Sequence, residues 1–443
     1  MMTFSDMIRR LKSIDVVVVE SQSVWSVDRL LSSFTYLSAD LYNHDVAVYV
    51  SDVGVALSVL AALDGYAASI LIVPASMSVP QVTQILEHLN NLIIVTDTEA
   101  VLPNHDVVNL LDGRTMPIGR SSPLPEVRDT SWKLLTSGTT GTPKIAIHTL
   151  SSISQSVKQP TELSNEFVWG LTYEWSRFAG FQVVLQAIVG DSVLVVPNHD
   201  WSIGDSIQYF AQCNCTHLSA TPSYWRQALM TGTLAEMPLR QATLGGEIAD
   251  AAVLTKIRNV LPKVRISHVY ASTEIGVGFA VNDGRAGFPM SFLTEPVNNW
   301  HLRVVDDRLF VRQVKGLNSN SGNSDWIDTG DCVSVEVDRI YFRGRGNGLM
   351  NVGGNKVLPE EVEQVVLELP YVLFVRVSGI SSSIIGTLVK AEVVIDNAMF
   401  SGENIVKCIK EHVANRLDRY KVPAIIELVD KVQIGTSGKL SRS

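Results

Sequence analysis

Short apolar runs, "VVVV" (16–19), "VAVYV" (46–50), "SILIV" (69–73) and "LIIV" (92–95), alternate with longer stretches of helical periodicity from Val16 to about Leu111. A strand that is apolar at consecutive positions is buried on both faces, and parallel neighbours need a long crossover between them. The alternation therefore predicts βαβ units around a parallel sheet covered by helices. The pattern resumes with "KIAIHT" (144–149), "SVLVVP" (192–197), "THLSATP" (216–222) and "ISHVYAS" (266–272). From Leu302 it changes to close-set strands, "LRVVDDRLFVRQV" and "CVSVEVDRIYFRGR", with turns expected at Asp306-Asp307 and Asp338-Arg339. After the composition break "GRGNG" (344–348), "LPEEVEQVVLEL" has Pro and acidic residues where a helix starts. The expected fold class is α/β: a large N-terminal domain of βαβ-layered sheets plus a small antiparallel strand region, 1–346, then a small α+β C-terminal domain, 347–443.

The net charge of −9 and pI near 5.5 argue against a nucleic-acid surface or a polybasic membrane patch. The apolar segment Val53–Pro74 is broken by Asp64-Gly65, so it reads as a helix followed by a strand and not as a membrane span. Cys213, Cys215, Cys332 and Cys408 are too few and scattered for a disulfide framework. Cys213 and Cys215, with His217 nearby, read as reduced residues in a buried helix-to-strand segment. The N-terminus lacks the pattern of a signal peptide, and a cytoplasmic chain is the simplest expectation.

Within this frame "LLTSGTTGTPK" (134–144) stands out, because glycines let the backbone approach a ligand while hydroxyls and exposed N–H groups surround phosphate oxygens. A P-loop would need Gly before the lysine and a helix after it. Here Pro143 precedes Lys144 and a β-like run follows. A solvated hairpin turn is the bland alternative.

"TSGTTGTPK" resembles the phosphate loop of the adenylate-forming superfamily, which comprises acyl- and aryl-CoA synthetases, the adenylation domains of nonribosomal peptide synthesis, and luciferase. The resemblance extends to "YASTE" (270–274), "DWIDTGD" (325–331), "FRGRGNGLMNVGGNKVLPEEVE" (342–363) and "TSGKLSR" (436–442), in the family's order. It implies activation of a carboxylate by ATP and Mg2+ as an acyl-adenylate, release of pyrophosphate, and transfer of the acyl group to a thiol. Thr136, Ser137, Gly138, Thr139, Thr140, Gly141, Thr142 and Lys144 would then grip the leaving phosphates. Gly245, Gly246 and Glu247 of "LGGEIAD" would line the adenine and acyl pockets. Tyr270, Ala271 and Ser272 would line the nucleotide site, with Tyr270 near the adenine; Thr273 would contact the α-phosphate and Glu274 would hold Mg2+. A helix N-cap with an acidic first turn would use the same residues.

Asp331 matches the carboxylate that accepts from both ribose hydroxyls, and Arg345 an arginine near the ribose and phosphates. The resemblance also implies a mobile C-terminal domain that pivots at Asn347, where Asp or Lys is usual, and brings in a catalytic Lys439. "QIG" (433–435) replaces the usual Pro-Lys-Thr lead-in to that lysine.

The acid itself is less legible. "YEWS" (173–176) resembles the stretch that supplies a carboxylate for a substrate ammonium in amino-acid-activating relatives, with Glu174 in that place. The preferred reading is a helical pocket wall, with Glu174 capping it and Arg177 paired to an acid. Tyr173, Glu174, Phe178 and Gly246 are then the acyl-pocket candidates. The acceptor is CoA or the phosphopantetheine of a separate acyl or peptidyl carrier protein. A stand-alone adenylation enzyme loading an amino or aryl acid onto such a carrier, and a non-catalytic nucleotide-binding protein, are the alternatives to an acyl-CoA ligase.

Overall fold

The structure, a computed structural model, describes residues 2–11, 16–87, 89, 92–99, 105–110, 126–136, 144–160, 166–273, 275–314, 326–382, 386–400, 402, 404–432 and 439–440. The chain falls into two compact units. One comprises Met1–Ser219, Glu236–Ala242 and Ser272–Gly276, the other Ala220–Ala235, Thr243–Ala271 and Val277–Ser443.

In the first unit, six strands lie in the order Asp106–Asn109, Leu92–Thr96, Asp45–Tyr49, Ser69–Ile72, Ser131–Thr136 and Lys144–His148. All are parallel except the last. The first crossover is helix Val53–Leu63, capped by Asp52, whose carboxylate accepts from the Val55 N–H at 2.8 Å. It is apolar all round and buried along nearly its whole length, which explains its resemblance to a span. Among the described residues, no helix is long and apolar enough to cross a membrane. Four parallel strands, His217–Ala220, Val168–Leu171, Val193–Val196 and Val16–Glu20, form a second array bordered by antiparallel Val24–Ser26.

One expectation is corrected here. Lys144–His148 does not open a new βαβ run; it turns back on Ser131–Thr136, with Lys144 opposite Thr136. The intervening residues 137–143 are too few for a parallel crossover, which takes about a dozen or more. The cysteine segment is placed as the sequence suggests: Cys213 ends helix Ile203–Gln212, and Cys215 is buried ahead of the next strand. Burial pushes the Cys215 thiol pKa up. His217 packs beside Phe167 and Trp169, with ring centroids 4.4 and 4.7 Å away.

Strands Gln241–Gly245, Arg265–Ser272 and Gly276–Val281, most of whose residues belong to the second unit, are neighbours in that order. An antiparallel sheet follows in the order Phe288–Pro289, Arg339–Arg345, Ile327–Val335, Arg308–Gln313 and Trp300–Val305. The Asp306-Asp307 turn has φ of 49° and 57°, the two left-handed positions that a tight hairpin needs. The other turn sits one residue earlier than expected, at Val337-Asp338, because Arg339 belongs to the strand. Its guanidinium, 2% exposed, donates to the carbonyls of Arg285, Ala286 and Gly287 and to Asp283 at 2.6 Å.

The C-terminal part has its own core of Val357, Val362, Val366, Val377, Val393 and Ile409, among others. Helix Pro359–Leu367, with Pro359 at its start and Glu360 and Glu361 in its first turn, packs there with strands Val372–Ser382 and Gly386–Ile395.

Candidate active site

The second unit contains a cavity of about 330 Å³ lined by Gly246, Glu247, Tyr270, Asp331, Arg345 and Lys439 among others. Several strand ends supply these groups, which is how residues far apart in sequence come to share one space. Tyr270 lies near the end of strand Arg265–Ser272, its ring almost parallel to those of Phe279 and Phe342 at centroid distances of 5.0 and 5.3 Å. Its hydroxyl donates to Asp331 Oδ2 at 2.6 Å. Burial, then the Asp331 charge, raise the phenol pKa far above its usual value.

Asp331 faces Arg345 across the hairpin, and Arg345 Nε donates to its other oxygen at 3.0 Å. Gly330, with φ of +79°, turns the chain immediately before it. The buried carboxylate is thus oriented by a phenol on one oxygen and a half-exposed guanidinium on the other. Each oxygen retains acceptor capacity for an incoming hydroxyl.

Gly246 follows strand Gln241–Gly245 with φ of +81°, and a Cβ there would lie 3.1 Å from Lys439 Cε. The lysine stem therefore runs directly over this glycine. Glu247 fixes the same neighbourhood: one oxygen accepts from Ser223 N–H at 2.9 Å and the other from Leu440 N–H at 2.6 Å. Ser223 lies in the first turn of helix Pro222–Met230, so the carboxylate satisfies an orphan donor at the positive end of that helix. The residue after Lys439 is held by the same carboxylate. Lys256 Nζ to Val372 O, 2.7 Å, and Gln227 Nε2 to Val432 O, 3.3 Å, add further ties within the unit.

The remaining candidates divide as follows. Asn347 lies in the single turn Gly346–Gly348 directly after Arg345. Ala271 lines the cavity. Ser272 and Thr273 belong to the first unit, where Ser272 Oγ accepts from Ile275 N–H at 3.3 Å and Thr273 O accepts from His148 Nε2 at 2.9 Å. Lys144 is exposed at the start of its strand, and Thr136 ends the neighbouring one. Ser137, Gly138, Thr139, Thr140, Gly141, Thr142 and Glu274 lie outside the described residues.

Also in the first unit, Tyr173 and Phe178 are buried. Glu174 accepts from Ser76 N–H at 2.9 Å, Ser76 Oγ at 2.8 Å and Arg177 Nε at 2.9 Å. Sequence reasoning missed Arg226 and Glu363, both buried cavity residues. Arg226 pairs with Asp250, the N-cap of helix Ala251–Val260, while Glu363 accepts from Val377 N–H at 2.8 Å. Neither pairing leaves a local signature in sequence.

Residues 35–316 match the AMP-binding enzyme family and residues 361–439 its C-terminal domain, so the chain belongs to the AMP-binding enzymes. Among curated proteins, it is 28% identical over 344 residues to 4-hydroxybutyrate–CoA ligase 1 of Metallosphaera sedula, covering 69% of this chain and 60% of that protein. It is 24% identical over 342 residues to 2-succinylbenzoate–CoA ligase of Bacillus subtilis, covering 71% and 68%. Among solved structures, the anthranilate CoA ligase AuaEII in complex with anthranoyl-AMP shares the fold, with a TM-score of 0.78 at 17% identity over 99% of this chain and 95% of that one.

Proposed function

We propose that the protein activates a small carboxylic acid with ATP, releasing pyrophosphate, and transfers the acyl group from the adenylate to the thiol of CoA. The carrying observation is the cavity in which Lys439 lies against Gly246 beside the Tyr270–Asp331–Arg345 constellation. Its chemistry fits a nucleotide: an aromatic ring, a fixed carboxylate for ribose hydroxyls, and two cations for phosphate charge. The names of the relatives support a CoA acceptor.

In this reading Gly245, Gly246 and Glu247 border the adenine and Asp331 receives the ribose. Thr273 contacts the α-phosphate. Lys439 neutralises charge that builds on the carboxylate and phosphate as they join, a stabilisation worth most where water is excluded. Thr136 to Thr142 and Lys144 hold the leaving pyrophosphate. Mg2+ would be held by Glu274 and by phosphate oxygens. That sharing suits a hard cation, which prefers carboxylate and phosphate oxygens.

The chain divides at Asn347 into 1–346 and a mobile 347–443 part, a reading supported by the separate C-terminal core. Tyr173 and Phe178 border the acyl pocket. Glu174 shapes its wall, a role supported over pairing with a substrate ammonium by its bonds to Ser76 and its ion pair with Arg177. The setting is cytoplasmic.

ATP–pyrophosphate exchange over a panel of aryl, fatty and amino acids tests the proposal. Exchange with at least one acid, followed by thioester formation with CoA, is expected. Absence of exchange with every acid points to a non-catalytic nucleotide-binding protein. Transfer to a holo-carrier protein but not to CoA overturns the acceptor.

A further inference from the structure

The geometry points to His148 as a positioning residue for the first half-reaction, a role that rests on the function proposed above. His148 ends the strand that begins at Lys144. Its Nε2 lies 2.9 Å from the Thr273 carbonyl oxygen, and since a carbonyl only accepts, that nitrogen carries the proton and donates. Its ring centroid is 6.4 Å from that of Phe178, the first residue of helix Phe178–Val189.

Three segments given different duties therefore meet at one imidazole. They are the strand that follows the phosphate loop, the turn that presents Thr273, and the helix that walls the acyl pocket. All three belong to the first unit.

The Ser272–Ile275 turn is held from two directions. Ser272 Oγ closes it from within by accepting from Ile275 N–H at 3.3 Å. The strands ending at Ser272 and starting at Gly276 anchor its two ends, but the bond inside the turn is long, so within it the Thr273 peptide has little restraint of its own. The His148 bond is the external restraint. It fixes the carbonyl of Thr273 and hence the direction in which that residue's side chain leaves the backbone. A misplacement of ~1 Å at such a group costs on the order of a hundredfold in rate, which makes a donor some 125 residues away in sequence consequential.

The test compares His148→Leu, which removes the donor but keeps an apolar neighbour for Phe178, with His148→Gln, whose amide nitrogen can donate from a similar reach. Pyrophosphate exchange by His148→Leu is expected to fall on the order of tenfold to a hundredfold. Affinity for ATP with Mg2+, read by calorimetry, should fall about tenfold, the scale of one lost hydrogen bond. Adenosine affinity and transfer from preformed acyl-adenylate should stay unchanged, and His148→Gln should recover most of the loss. The inference is overturned by His148→Leu matching the wild type, by His148→Gln failing as badly, or by adenosine binding falling in parallel. A wild-type protein that neither exchanges pyrophosphate nor binds ATP with Mg2+ overturns the proposed function, and this role with it. A wild type active in both beside an unaffected His148→Leu overturns only this role.

Discussion

Replacing Gly246 with alanine separates two effects that usually travel together. The φ of +81° is strained for any residue with a Cβ, and the new methyl would sit 3.1 Å from Lys439 Cε and 3.7 Å from Thr221 Cγ2. Gly232 offers a matched control: its φ is +76°, and a Cβ there meets nothing within 4 Å. Backbone strain alone costs alanine roughly 1–2 kcal/mol at either site, which thermal melts should register as about 2–4 °C per kcal/mol. Only Gly246→Ala also displaces the lysine. Lys439 is flexible, so its Cε can yield a few tenths of an ångström, and the expected loss in pyrophosphate exchange is about tenfold. Transfer from preformed acyl-adenylate should be spared. If the effect runs through the lysine, adding Gly246→Ala to Lys439→Ala should cost exchange little more than Lys439→Ala alone. Equal loss of exchange in Gly232→Ala, or full additivity in the double variant, would refute the reasoning.

Lys439→Ala should slow adenylation by about 10²–10³, the scale of one lost transition-state contact, while leaving transfer from a preformed adenylate nearly intact; equal loss in both half-reactions counts against a lysine that acts only in the first. Asp64, buried and accepting from Phe4 N–H and Trp132 Nε1, has its carboxyl raised to about 6 chiefly by burial. The folded state therefore retains a proton that the unfolded chain has released, so this group's contribution falls as pH rises from about 4 to 6 and is flat above, in all by about 3 kcal/mol. Urea unfolding from pH 4 to 7 should show that slope reduced in Asp64→Asn; a difference between the two proteins that does not vary with pH sinks the assignment.

The parts of the fold legible in the sequence are those whose cause is local. Consecutive apolar residues in "SILIV" reveal a strand covered on both faces, and Asp306-Asp307 reveals a turn because those residue types tolerate left-handed backbone. The direction of Lys144–His148 is not legible in the sequence, because a β-like run carries no mark of its partner's orientation. Only the shortness of residues 137–143 points to it. Arg339 reads in the sequence as part of a turn beside an Asp, whereas its partners lie 52 to 56 residues away. In the site, motif order pointed to Tyr270, Asp331, Arg345 and Lys439 separately. Their assembly depends on the register that sets Asp331 opposite Arg345 and on the Glu247–Leu440 bond, which joins residues 193 apart. His148 belonged to no motif, since its partner is a backbone carbonyl and any residue type could have supplied that acceptor.

The buried Arg339 makes its hairpin a natural attachment point. Val337, two residues away, is 100% exposed, while the guanidinium pins the strand beneath it to four acceptors. A short insertion or a fluorophore at Val337 would project into solvent from a rigid base and strain nothing the strand depends on. Because that base continues through the same strand to Arg345, a probe there would report on the approach to Asn347 without occupying the cavity.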